Sequence, residues 1–318
     1  MRRLYIDANS IGHAAQHGNA RSGKLYAGDR ETTAIFGMLR SANKLLRTRL
    51  SSTPIWLWDG RSHRFEEHPD YKGNRSDTAD KVKAKEEYKS QRRDMFRGLH
   101  LLGQSQLVAA NMEADDMAAI LTRKALAAGD TVTLITADRD WLQLVEHGVA
   151  WFDPRTEKKC NVSNFEKFTG YRTQKAFIHS KALQGDAGDN IKPKTGVGEK
   201  GALDLLAAFD DVHEFLRTPL DQALNRFVAH HVEKPKTWAG LAKFHGNQEA
   251  HERFEFALKM MDLGHPEIPA PKNIRGTKAK VDRDGFVKFC SEFGFASILK
   301  DVDAFLSPFI QLEQEFSN

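Results

Sequence analysis

The chain has 318 residues, 40% of them hydrophobic and 28% charged, with a net charge of +4. That balance suits a packed globule and excludes wholesale disorder. No apolar run is long enough to span a bilayer, and Cys160 and Cys290 stand alone, which excludes a disulfide framework or a cysteine zinc site.

In chain order, MRRLYIDANS opens with a short apolar strand over 3–7 and meets Asp7 before a secretory core could form. The expected location is therefore cytoplasmic, with no membrane association. Residues 32–50 carry helical spacing through Ile35, Met38, Leu39, Leu45 and Leu46. PIWLWD (54–59) reads as a buried strand ending in Asp59. The segment 61–100 is long, charged and basic around Lys72–Arg75, and a connection of that length between strands is usually functional. Three more strands are expected over 105–110, 130–138 and 149–153. Beyond about 175 the pattern turns helical. A helix over 173–190 ends in the acidic turn GDAGDN, and the glycine turn TGVGEKG precedes a helix reaching 209. Strands alternating with helices predict an α/β fold with a mainly parallel sheet.

EADDMAA (113–119) taken alone is a helix start, since acidic residues suit the first turn. Its context changes that reading. Asp7 and Asp59 end the first two strands, Glu113, Asp115 and Asp116 follow the third, and Asp138 and Asp140 follow the fourth. Ligands of open α/β sheets bind beyond the carboxyl ends of the strands, so these acids are expected on one rim, joined by Asp186 and Asp189. Gathered carboxylates repel and call for counter-charge. An oxygen-only set without His or Cys favours Mg²⁺ or Mn²⁺ over Zn²⁺, and a pair of such ions suits phosphodiester hydrolysis. His230 and His231 lack a ligand partner at metal spacing and read as packing or solvated histidines. Gly196 and Gly198 permit a tight turn whose following helix can offer N–H groups to a phosphate backbone.

These motifs, in order, resemble the 5′-nuclease (flap endonuclease) superfamily, in particular its phage-type 5′–3′ exonucleases. The resemblance rests on YIDANSI, FEEHPDYKGNR, EADDMAA, TADRDW, KALQGDAGDN and GVGEKGA, and more weakly on FVKFCSEFGFASIL (286–299). It implies a PIN-like catalytic core over 1–174 with a helical arch near 61–100. A helical DNA-binding region would follow over 175–318, with a helix-hairpin-helix-type (H3TH) turn at about 181–209. It implies metal-dependent cleavage of DNA at 5′ ends, flaps or junctions, leaving a 5′-phosphate and a 3′-hydroxyl, by a stand-alone enzyme of bacterial or phage-infected cells with no obligate protein partner. By matching motifs, Asp59, Glu113, Asp115 and Asp116 would serve one ion and Asp138, Asp140, Asp186 and Asp189 a second, with Asp7 shared. Lys72, Arg75 and Lys181 would face the scissile phosphate. Tyr71 would stack a terminal base. Gly196, Gly198 and Lys200 would hold duplex backbone, with K⁺ a candidate in the turn. The sequence departs from the family at IKPKTGVG, where Pro193 and Lys194 alter the path into that turn. Two rival readings follow from the residues: a DNA-structure-binding protein that cuts poorly, and a PIN-type ribonuclease.

Overall fold

Strands with a period of two can serve two faces of a sheet at once, and β1 (Arg2–Asp7) does so. Its Leu4 and Ile6 enter one apolar core while Tyr5 enters another on the opposite face. Trp56 and Trp58 divide from Leu57 in the same way along β4 (Thr53–Trp58). The computed structural model describes residues 1–18, 23–48, 52–76, 78–209, 211–231 and 236–315. Residues 49–50 of the expected 32–50 helix, residue 77, residues 232–235 and the side chain of His231 lie outside the described residues.

The remaining strands are β2 (Tyr26–Ala27) and β3 (Arg30–Glu31), which form a small hairpin, then β5 (Ser105–Val108), β6 (Thr131–Ile135), β7 (Val149–Phe152), β8 (Lys159–Cys160) and β9 (Arg275–Thr277). The main sheet has the order β8-β7-β6-β1-β4-β5-β9. Its five central strands are parallel, as the alternating pattern predicts, and β8 and β9 close the two edges antiparallel. The chain runs outward from β1 through β4 to β5 and then returns to β6, so the strand order reverses between β1 and β6. Such a switch point opens a crevice at the carboxyl ends of the strands.

One face of the sheet is covered by α1 (Ala8–Gly18), α2 (Thr33–Arg47) and the second half of α4 (Ala79–Leu101). The short α3 (Arg64–Glu67) precedes α4. The other face carries α5 (Ala114–Ala127), with Trp141 and α6 (Phe165–Thr169) beside it. A third core is built by α7 (Gln174–Gln184), α8 (Glu199–Phe209), α9 (Val212–Arg217), α10 (Leu220–His231), α11 (Trp238–His245) and α12 (Gln248–Met261). No described helix is long and apolar enough to cross a membrane.

The charged segment forms a largely exposed helix only up to Glu87, and from Tyr88 onward Met95 and Leu99 are buried in the sheet layer. The C-terminal segment does not pack with the helices of 174–261. β9 joins the sheet edge, and α13 (Arg283–Glu292), α14 (Ala296–Leu299) and α15 (Val302–Glu315) lay Phe286, Phe289, Phe293, Phe295 and Phe309 against the α2–α4 layer. The reason is apolar burial: this phenylalanine-rich stretch finds its cover on the sheet side rather than on the third core.

Candidate active site

Asp7 is the last residue of β1, and Asp59 follows β4 by one residue. Gly60 fixes the latter position: a Cβ there would lie 1.8 Å from the carbonyl oxygen of Ala109, so only glycine lets the two strand exits run so close. Across them, Gly60 N–H donates to the Met112 carbonyl at 2.9 Å. Glu113 and Asp115 begin α5, and Asp138 and Asp140 flank the start of a 3-10 turn over Arg139–Leu144. At the switch point Thr136 Oγ1 donates to Asp7 Oδ2 at 2.8 Å, and the Ser10 N–H donates to Asp7 Oδ1 at 2.9 Å.

The last two acids arrive from the helical side. Gly185 ends α7 with φ +85, and its missing Cβ would meet the Ile191 carbonyl oxygen at 2.4 Å. That turn closes through paired backbone bonds between Asp186 and Ile191, both 2.9 Å. It is stitched to the basic loop 68–76. Lys72 N–H donates to the Asp189 carbonyl at 3.0 Å, Asn190 Nδ2 donates to the Asp70 carbonyl at 3.1 Å, and Asn74 Nδ2 donates to the Ala187 carbonyl. Lys72 itself sits in the left-handed region at φ +58, a strained conformation of the kind that clusters at functional sites.

Together these elements enclose a cavity of about 330 Å³ lined by Asp7, Asp59, Glu113, Asp115, Asp138, Asp140, Asp186 and Asp189, with Lys72 and Arg75. Asn9, Ser10 and His13 of α1 complete the wall. The carboxylates fall into two sets. Glu113, Asp140, Asp186 and Asp189 are paired with cations. Lys72 contacts Glu113, Arg75 contacts Asp189, and Lys181 contacts Asp140 and reaches Asp186 Oδ2 at 3.3 Å. Burial alone would raise Glu113 and Asp186, but Lys72 and Arg64 hold Glu113 low and Lys181 does so for Asp186.

Asp7, Asp59, Asp115 and Asp138 form the other set. Among the described residues they accept hydrogen bonds only from neutral donors: Ala114 N–H to Asp59 at 2.8 Å, Trp141 Nε1 to Asp115 at 2.6 Å, and Asp140 N–H to Asp138 at 2.8 Å. Burial, then the neighbouring charge of Asp59, pushes Asp7 up to about 7. Desolvation by the crowded cavity wall and then Asp140 push Asp138, though exposed at the rim, up to about 6. Asp59 is raised by burial and Glu113, and Asp115 well above the usual range by burial and Asp138. Four acids whose charges oppose one another, Asp7 buried, Asp59 and Asp115 half-buried and Asp138 exposed at the rim, with every donor an oxygen, fit a hard divalent cation.

Asp116 is not among the cavity residues. Its side chain is fully buried, and Arg64 clasps both its oxygens, Nη1 to Oδ2 at 2.9 Å and Nη2 to Oδ1 at 2.8 Å. Oδ2 also accepts the Glu113 N–H at 3.2 Å. Three residues after Glu113, Asp116 serves a buried ion pair at the helix start. Arg64 reaches further, with Nη1 3.3 Å from Glu113 Oε2 and Nε donating to the Met260 carbonyl at 2.6 Å, and so ties α5 to α12. Nothing in the sequence singles out Arg64 within the long charged segment 61–100.

Tyr71 is likewise buried, and its hydroxyl donates towards Glu113 Oε2 at 3.0 Å and Asp189 Oδ2 at 2.8 Å. The ring that was expected to stack a base packs edge-on against Phe65. Gly196, Gly198 and Lys200 lie outside the acidic cavity, exposed at the entry to α8. Gly196 takes φ +81 and Lys194 takes φ 49, while Thr195 Oγ1 anchors the turn to the Leu183 carbonyl at 2.7 Å.

A model of the 5′–3′ exonuclease N-terminal resolvase-like domain matches residues 2–171. The chain belongs to this family. A thermostable DNA polymerase I of Thermus thermophilus is 28% identical over 262 residues, covering 75% of this chain and 30% of the polymerase. The chain thus spans under a third of that relative's length. The flap endonuclease of Escherichia phage T5 is 27% identical over 220 residues, 67% of this chain and 72% of the phage protein. Among solved structures, the T5 D15 protein co-crystallised with metal ions superposes with a TM-score of 0.59 at 22% identity, over 98% of this chain and 99% of that one. Human GEN1 in complex with Holliday junction DNA gives 0.60 at 16% identity, over 99% of this chain and 74% of that one. These likenesses establish the PIN-like fold expected from the motifs.

Proposed function

We propose that this protein is a structure-specific 5′-nuclease that hydrolyses DNA phosphodiesters at 5′ ends, flaps or branched junctions, with 5′–3′ exonuclease and flap endonuclease activity. The observation that carries the reading is a cavity in which four carboxylates, Asp7, Asp59, Asp115 and Asp138, make no ion pair among the described residues, beside a second set already matched to Lys72, Arg75 and Lys181. The family's own name and those of its relatives support it.

Asp7, Asp59 and Asp115, with Glu113, would hold one Mg²⁺ or Mn²⁺, and Asp138, Asp140, Asp186 and Asp189 a second. When bound, the ions would supply Lewis-acid neutralisation of the phosphodiester and ease ionisation of the attacking water. The chain's own groups do the rest. Lys72, Arg75 and Lys181 exchange a carboxylate partner for the scissile phosphate and steady its developing charge. Tyr71 and Arg64 keep Glu113 and Asp189 in place rather than touching substrate. The exposed first turns of α4 would border the path of a single-stranded 5′ end, and the Gly196–Lys200 turn would hold duplex backbone without reading bases, with K⁺ as a candidate ion there. Products would carry a 5′-phosphate and a 3′-hydroxyl, in DNA replication, repair or recombination. A pure binding protein would gain nothing from four opposed charges gathered in one cavity.

The test is cleavage of a labelled 5′-flap duplex with Mg²⁺ or EDTA. Mg²⁺-dependent cuts near the junction are expected. Binding without cleavage in either Mg²⁺ or Mn²⁺ would overturn the proposal, and preferential cutting of an RNA hairpin would assign a ribonuclease.

A further inference from the structure

A second group of metal-ligating side chains stands in the helical unit, away from the acidic cavity. His179 lies on α7, Asp211 caps α9 and His213 sits in its first turn. One ligand atom from each falls within 4.8 Å of the others. Oδ1 of Asp211 is 3.4 Å from Nδ1 of His213 and 3.7 Å from Nδ1 of His179. Both separations are long for a hydrogen bond. Donors bound at about 2.0–2.1 Å to one tetrahedral ion stand roughly 3.3 Å apart.

A separate contact fixes the tautomer. His213 Nε2 meets Glu255 Oε1 of α12 at 2.7 Å, so Nε2 carries the proton and Nδ1 presents its lone pair towards Asp211. A carboxylate behind the far nitrogen is how metal-bound histidines are usually oriented. Phe254 packs its ring edge-on against both imidazoles and gives the group an apolar wall. His179 is buried, and its ring stands 5.1 Å from that of His213.

We infer that His179, Asp211 and His213 form a zinc-class transition-metal site, oriented by Glu255, that staples α7, α9 and α12 together. Two existing partners adjust when the ion binds. Lys175 keeps Asp211 Oδ2, where it now sits at 2.5 Å, and Oδ1, which caps the helix by accepting the His213 N–H at 2.8 Å, turns its second lone pair to the metal. The Val212 N–H, which donates to His179 Nδ1 at 3.1 Å, gives way to the ion or to ligation through Nε2. The site is distinct in kind from the oxygen-only cavity, so excess Mg²⁺ leaves it open while occupying the other. The inference does not depend on nuclease activity.

The experiment titrates Zn²⁺ into the full chain in excess Mg²⁺ by calorimetry and repeats the titration with Co²⁺ by visible absorption. Wild type is expected to bind one additional equivalent, with the intense bands of tetrahedral Co²⁺, and to melt at a higher temperature with Zn²⁺. His213→Ala should lose that equivalent and the melting shift, and Glu255→Gln should weaken it roughly 10–100-fold. His230→Ala should behave as wild type. Should His213→Ala fold poorly, Glu255→Gln decides, because its side chain is half exposed. Absence of Zn²⁺ uptake by wild type in excess Mg²⁺, or equal uptake by wild type, His213→Ala and Glu255→Gln, would overturn the inference.

Discussion

Asp115 and Asp116 are neighbours in sequence and opposites in environment. Asp115 faces the cavity, held by one indole N–H and raised by burial and like charge. Asp116 is sealed against a guanidinium. Asp115→Asn removes a charge the metal-free fold resists, so stability should hold or rise while flap cleavage falls about 100-fold or more. Asp116→Asn leaves the buried Arg64 guanidinium only the longer contact to Glu113 and should cost about 3 kcal/mol of stability, with any activity loss following from that. Urea unfolding beside single-turnover cleavage separates the two. Equal stability losses in both variants would show that Asp115 is as structural as its neighbour.

At the scale of elements, the parallel strands and the acids at their carboxyl ends were legible because strand burial and rim chemistry each leave a local pattern. What stayed hidden depends on distant partners. EADDMAA cannot say which of its acids turns inward, since Arg64 comes from another helix. Tyr71 cannot say that its hydroxyl bridges Glu113 and Asp189. The three residues of β9 are too few to show a period, and the C-terminal phenylalanines do not name the face they cover.

The strand ends also carry a pH signature. Asp7 and Asp138 hold protons more tightly in the fold than in the open chain, so their contribution is favourable at low pH and is lost as pH rises from 3.8 through about 6 and about 7. Glu113 and Asp186 shift the other way below that window, and His13 and His179, held down to about 4 by burial, oppose the fall until pH passes their ordinary 6.5. In EDTA the urea midpoint should therefore fall between about pH 6.5 and about pH 7.5, where Asp7 titrates, and saturating Mg²⁺ should reverse the fall by binding the ionised acids. A midpoint that rises over this range in EDTA would mean that the four acids are not opposed.

For the molecule as a whole, the net charge of +4 understates the basic surface, because eight of its acids are gathered in one cavity. Part of the remaining positive charge is arranged by backbone geometry. From Ile191 to Gly198 the chain alternates, with Ile191, Pro193, Thr195 and Val197 inside and Lys192, Lys194, Gly196 and Gly198 outside, and Lys200 follows on the first turn of α8. Lysines presented on one edge beside a helix N-terminus suit a phosphate backbone, and each phosphate neutralised releases condensed counterions. If the proposed duplex contact is made here, Lys194→Ala and Lys200→Ala should each reduce the slope of log affinity against log salt by about 0.9. Binding to a flap duplex, followed by fluorescence anisotropy in Ca²⁺ or EDTA over a series of KCl concentrations, measures it. The loss should be similar across DNA sequences, because no base edge is read. An unchanged slope in both variants would move the duplex contact off this turn and onto the lysines of α4.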